Sequence, residues 1–445
     1  MSNLFYQTKS PRPMLERAEG IYMWGKDGKR YIDGSSGAMV SNIGHSNPEV
    51  LAAMRAQMDS STFGYRLHFQ TESSEKLAAM TAALAPEGLN KVFFVSGGSE
   101  AVESALKMAR QYVLTQGQAQ RYKVISRYPS YHGCTLGALA VTGYAPMTAP
   151  FDPMMQRMPK IPAPRAYLDG LDPELEATGH YYADMLEAKI LQEGPDTVLA
   201  FIVEPVGGAS TGALVPPKGY MQRIREICTR YGVLLIHDEV MTGGGRTGRF
   251  FGAEHWGVTP DLISLSKGFG GGYVPLGAMV ARDDIVEAVM NAGGFIHGFT
   301  YAGNPLACAA GCAVLEQIEE HDLTGNAEHM GDKLAERLRS LMQRYPLVGD
   351  VRGKGLLTAF ELMTDRTSKE PLPADLHAHA RLVDIAYDNG LIIYSRRTRG
   401  GTSGDHFLVC PPMIVTEAQL DEMTDILDAS LAQYMAEIPQ FSGAT

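Results

Sequence analysis

Three apolar runs in the middle of the chain constrain its fold most: Phe201 to Glu204 (FIVE), Leu234 to Glu239 (LLIHDE) and Leu262 to Lys267 (LISLSK). They are apolar at consecutive positions instead of every second one, as expected for strands covered on both faces. Further runs at Lys91–Val95, Val198–Val203 and Val233–Ile236 alternate with helical patterns that begin near Ser99 and extend over Lys218–Tyr231. Strand alternating with helix indicates an α/β fold with a mostly parallel central sheet flanked by helices. In such a sheet ligands bind at the carboxyl ends of the strands, so Glu204, Asp238 and Lys267 are expected to converge on one site.

The chain has 445 residues, more than one hydrophobic core usually serves, so two lobes are expected. Gly20 to Asp33 reads as two short aromatic-rich runs about Lys-Asp-Gly, a hairpin signal. Beyond Leu323 the sequence becomes helical and charged (Lys333–Arg344), then returns to strands at Leu356–Leu362 and Leu391–Tyr394. We therefore expect residues 61–325 to form the large lobe, with a smaller α+β lobe built from residues 1–60 and 326–445. Arg399 to Gly404 (RGGTSG) reads as a loop able to move.

A net charge of −11 argues against a broad nucleic-acid face, which needs clustered Lys and Arg. The five cysteines are scattered without metal-ligand spacing and read as reduced thiols. Neither a signal-peptide core nor a run of about 20 uncharged apolar residues is present, so a cytoplasmic protein without a membrane span is expected.

A strand-terminal Asp is usually a turn residue, and a Lys before Gly is usually solvated. Their occurrence beside the glycine runs 243–245 and 268–272 changes the odds, because glycine lets backbone approach a bulky ligand. Val95 to Arg110 places small residues between a strand and an amphipathic helix, an anion site by its free N–H groups and dipole, or else an ordinary helix start. It is neither a dinucleotide fingerprint nor a Walker motif.

Together these residues resemble the class III aminotransferases of the fold type I pyridoxal-phosphate enzymes. The resemblance spans Tyr31–Gly34 (YIDG), Asn42–His45 (NIGH), Ser96–Ala101 (SGGSEA), Tyr131–Gly133 (YHG), Glu204–Pro205, Asp238–Gly248 (DEVMTGGGRTG), Ser266–Gly268 (SKG), Pro275–Gly277 (PLG) and Phe299–Pro305 (FTYAGNP). It implies pyridoxal 5′-phosphate as cofactor, with Lys267 the Schiff-base lysine and proton carrier and Asp238 keeping the ring nitrogen protonated. It further implies that Gly98 and Ser99 bind the phosphate together with Thr300 of a second subunit. Tyr131 and Val240 would flank the ring, and Glu204 and His132 would complete the shell.

Amine or ω-amino acid donor and oxo-acid acceptor (pyruvate or 2-oxoglutarate) would react in turn, with active sites at the interface of a homodimer or a dimer of dimers. Related enzymes carry an arginine before Gly-Asp and Pro-Pro; the corresponding stretch, Tyr394 to Asp405 followed by Pro411 and Pro412, is several residues longer here. Arg396 is the first choice for the carboxylate-binding arginine and Arg397 the second. Met39, Val40, Phe63, Tyr65, Arg66 and His68 are expected at the pocket mouth, with Val40 and Tyr65 as substrate contacts and Arg66 and His68 equally readable as interface residues. A decarboxylase-transaminase or aminomutase on the same scaffold is the rival reading, and a non-catalytic sensor a more distant one.

Overall fold

The computed structural model describes residues 3–6 and 12–438. Its central sheet has seven strands in the order Leu89–Val95, Gly277–Arg282, Leu262–Leu265, Leu234–Asp238, Val198–Val203, Lys123–Tyr128 and Lys160–Pro162. Gly277–Arg282 runs antiparallel to both neighbours; all other pairings are parallel. The unbroken apolar runs have a direct cause. Leu234 and Ile236 pack with Val102, Ala105 and Met108 of the helix Gly98–Thr115 on one face. Leu235 packs on the other with Leu186 and Ile224 of the helices Glu176–Glu193 and Tyr220–Tyr231. Strand residues alternate between faces, so both must be apolar. By the same alternation Asp238 shares the face of Ile236, while His237 shares that of Leu235.

The remaining strands form two further sheets. Leu15–Glu19, Tyr22–Gly25 and Arg30–Asp33 make an antiparallel ribbon, and Leu391–Ile392 adds to it in parallel beside Arg30–Asp33. Val348–Lys354, Leu357–Asp365, Ser403–Val409 and Tyr394–Arg399 are antiparallel, with Glu370–Pro371 on the edge of Leu357–Asp365. The stretch 399–404, expected as a loop, is the tight turn of a hairpin in which Arg399 pairs with Ser403. Gly400 and Gly401, at φ of 65° and 83°, supply the left-handed backbone that this turn requires. The charged helix is also longer than Lys333–Arg344. It starts at Leu323, where the Asp322 side chain accepts from the Gly325 N–H.

Candidate functional site

Glu204, Asp238 and Lys267 do meet. They line one cavity of about 290 Å³ together with Gly98, Ser99, Tyr131, His132, Val240 and Arg396. Lys267 follows the strand Leu262–Leu265 in a left-handed backbone, φ 50°, which a non-glycine residue holds only when its surroundings enforce it. Burial lowers its ammonium from the ordinary lysine range, opposed by the negative charges of Asp238 and Glu204. A larger fraction of neutral amine follows, the form able to act as nucleophile or base.

Asp238 is buried at its strand end and held on both oxygens. One accepts from His132 Nδ1 at 2.7 Å, and the other from the Val240 N–H at 3.1 Å. A carboxylate can only accept, so His132 carries its proton on Nδ1. Glu204 Oε1 accepts from the Gly208 N–H at 2.9 Å, and its Oε2 lies 3.7 Å from Arg127. Burial raises the Glu204 carboxyl, with His132 and Arg127 opposing the shift. Burial likewise raises the Tyr131 phenol.

The helix Gly98–Thr115 starts without a side-chain cap, leaving first-turn N–H groups available at the positive end of its dipole. Ser99 Oγ accepts from the Cys134 N–H at 3.0 Å. A Cβ on Gly98 would stand 2.8 Å from Val240 Cγ1, so only glycine fits between that valine and the helix start. His132 Nε2 and Glu204 Oε2 are buried without hydrogen-bond partners. An anion cradle, a fixed carboxylate and an amine lining one cavity, with buried unpartnered polar atoms on two of its lining residues, fit the phosphate, ring nitrogen and aldehyde of pyridoxal phosphate.

Other expected residues lie apart from this cavity. Thr300 and Arg66 are exposed, Tyr65 packs edge-on to His68, and Val40 is half-buried beside Gly272. Arg397 is turned away from the cavity, its guanidinium held by Asp405, Thr402 and Ala374. Conversely, Tyr144, Met147, Met241 and Tyr394 line the cavity and were not anticipated; nothing local in their sequence marks them. Arg246 was also missed. Fully buried, it donates to Asn42, Ser36 and the Pro411 carbonyl, tying the glycine run to the N- and C-terminal segments that close the site.

The model of the family "Aminotransferase class-III" matches residues 6–431. The chain is 35% identical over 427 residues to the putrescine–pyruvate aminotransferase of Pseudomonas aeruginosa, covering 96% of this chain and 91% of that one. Among solved structures it resembles an (S)-enantioselective omega-transaminase from Thermomicrobium roseum, with a TM-score of 0.91, 36% identity and coverage of 97% and 96%. An amine transaminase from an uncultivated Pseudomonas species in its PLP-bound form gives 0.91, 36%, 97% and 99%.

Proposed function

The chain belongs to the class III aminotransferases and is a pyridoxal-phosphate-dependent transaminase of fold type I; from that premise we propose how its own residues divide the work. Bound pyridoxal phosphate supplies a protonated ring that delocalises the electron pair released at the donor's α-carbon. Lys267 attaches the cofactor and, once displaced by the donor, its amine moves the proton from that α-carbon. Asp238 holds the proton on the ring nitrogen, and His132 fixes the orientation of Asp238. Gly98, Ser99 and the helix start receive the phosphate. Tyr131 and Val240 would flank the bound ring, and Glu204 would position groups beside it.

Donor and acceptor use the same cavity in turn, in a ping-pong sequence, with Arg396 receiving the carboxylate of the oxo acid. The observation that carries the reading is the buried 2.7 Å His132–Asp238 hydrogen bond in the same cavity as Lys267. Its test is spectroscopic: a panel of amines should discharge the aldehyde-form absorbance of the holoprotein, and pyruvate or 2-oxoglutarate should restore it. Absorbance that no amine discharges would sink it.

The working unit we propose is a homodimer, the sites lying between subunits. Phe63, Leu67, Phe69, Ile296 and Tyr301 are 47% to 76% exposed, and the rings of Phe63 and Tyr301 lie 5.9 Å apart. Exposed apolar side chains of this size are costly in water, and Thr300 is the chain neighbour of Tyr301. Equilibrium sedimentation should therefore find a species of two or more chains. No helix among the described residues is long and apolar enough to cross a membrane. The five free thiols support a cytoplasmic setting.

A further inference from the structure

Gly268, the residue after Lys267, does not stand in the left-handed region, so its own backbone does not call for glycine. What requires it is a neighbour. A Cβ on Gly268 would lie 2.5 Å from Asn42 Cγ and closer still to its Nδ2, so the Asn42 carboxamide occupies the space where a side chain at 268 would stand. Both polar ends of that carboxamide are engaged: Nδ2 donates to the Gly244 carbonyl at 2.9 Å, and Oδ1 accepts from Arg246 Nη2 at 2.6 Å. Arginine only donates and a carbonyl only accepts, so these two partners permit a single orientation of the amide. The Asn42 backbone is held as well, its carbonyl accepting from the Met413 N–H at 2.7 Å. Asn42 is 1% exposed and Arg246 0%, so this wedge is complete within one chain, and neither residue lines the cavity.

Resting on the aminotransferase reading above, we infer that Asn42 is a positioning residue: its carboxamide, wedged between Gly244 and Gly268, holds Lys267 in its left-handed backbone and so fixes where the lysine amine stands. A φ of 50° at a non-glycine residue lasts only against a constraint from its surroundings. The Lys267 carbonyl accepts from the Gly270 and Gly271 N–H groups at 3.0 and 3.1 Å, but those belong to the same turn and would move with it. Gly268 adds little, because glycine restrains the backbone least. Asn42 supplies the restraint from outside the turn, and Arg246 holds Asn42 in place. Without the carboxamide, the peptide between Lys267 and Gly268 can rotate towards the right-handed region. That rotation carries the amine away from the place where it attaches the cofactor and moves the proton.

The test reconstitutes the full-length apoprotein with either form of the cofactor. With pyridoxal phosphate, borohydride trapping and mass spectrometry read how fast Lys267 becomes attached. With pyridoxamine phosphate, which lacks the aldehyde, calorimetry reads the affinity of the cradle without the lysine bond. Asn42→Ala should slow attachment ~10²-fold, the scale of a displaced reacting group, and leave the pyridoxamine phosphate affinity within about threefold of native. Gly268→Ala, whose methyl would overlap the carboxamide, should do the same. Together the two should cost no more than about threefold beyond either alone, because with the carboxamide gone the methyl has room.

Attachment at the native rate in Asn42→Ala overturns the inference. So does a parallel loss of attachment and of pyridoxamine phosphate affinity, which would make Asn42 a support of the whole fold and not of the lysine, and so does full additivity of the two substitutions. Each of these leaves the aminotransferase reading intact. If the native protein forms no trappable bond at Lys267, it is that underlying reading that fails, and the inference with it.

Discussion

Replacing Arg396 and Arg397 separately by alanine should give opposite phenotypes, although the two are chain neighbours. Both lie on the strand Tyr394–Arg399, where adjacent side chains leave opposite faces. Arg396 is exposed at the cavity rim, rests over the Tyr394 ring and gives one hydrogen bond, Nη1 to the Ser395 carbonyl at 3.2 Å. Its other N–H groups can form a forked pair with a carboxylate. Two charge-assisted bonds, less the loss of the ring contact, contribute about 2–3 kcal/mol, so Arg396→Ala should lower kcat/KM for the oxo acid ~30- to 150-fold. The half-reaction with a monoamine should change by less than about threefold, and the Tm hardly at all.

Arg397 is only 13% exposed, and all three of its nitrogens are engaged: Nε with Asp405 at 3.0 Å, Nη1 with Thr402 at 3.1 Å and Nη2 with Ala374 at 2.6 Å. Arg397→Ala would leave the fully buried Asp405 paired only with His379, a loss of about 3–5 kcal/mol read as a Tm drop of several degrees. Stopped-flow measurement of each half-reaction with differential scanning calorimetry separates the two variants. If Arg396→Ala slows both half-reactions equally, or leaves the acceptor half untouched, the assignment is wrong.

Lys267→Ala should lose covalent attachment of the cofactor, checked by borohydride trapping and mass spectrometry, and slow amine transfer at least ~10³-fold. In Asp238→Asn the amide can no longer serve as the acceptor for His132 Nδ1 and hold the ring nitrogen's proton together, and transfer should fall ~10²- to 10³-fold while phosphate binding persists. A variant retaining more than about a tenth of native activity would refute that role. His237 is fully buried with both ring nitrogens unpartnered, and burial pushes it down to about 3. Its folded pKa lies below the unfolded value of ~6.5, so the unfolded chain takes up the proton first and stability is lost as pH falls through 6.5 towards 3, by ~2 kcal/mol at pH 5. The Tm gain of His237→Leu over the native chain should accordingly grow between pH 7 and 5; a difference independent of pH would contradict it.

Much of the fold was legible because helices cover both faces of the central sheet. That covering makes Val198–Val203 apolar throughout, and the strand occupies the residues the sequence marked. Direction is not written in composition, so nothing flagged Gly277–Arg282 as the one antiparallel member. Helix starts shifted where single residues set the backbone. The second crossover helix begins at Tyr220 and not Lys218 because Gly219 stands in the left-handed region, φ 79°. The glycines at 400 and 401 read equally well as a mobile loop or a tight turn, and only the cross-strand partner distinguishes them.

The site divides along the same line. Residues at strand ends, Glu204, Asp238 and Lys267, could be placed because the sheet itself gathers them. Tyr144, Met147, Met241 and Tyr394 come from segments distant in sequence and carry no local mark of their meeting, whereas Met39, expected at the pocket mouth, does line the cavity. The choice between Arg396 and Arg397 is the sharpest case, for it depends on parity alone. In the hairpin Arg397 pairs with Asp405 and Arg396 with His406, and a slip of one residue would exchange which arginine faces the cavity. What prevents the slip is Asp405: a buried carboxylate tolerates only the register that brings it a cation, and Arg397 supplies it. The buried ion pair thus determines that the neighbouring arginine, and not Arg397 itself, is presented to the substrate.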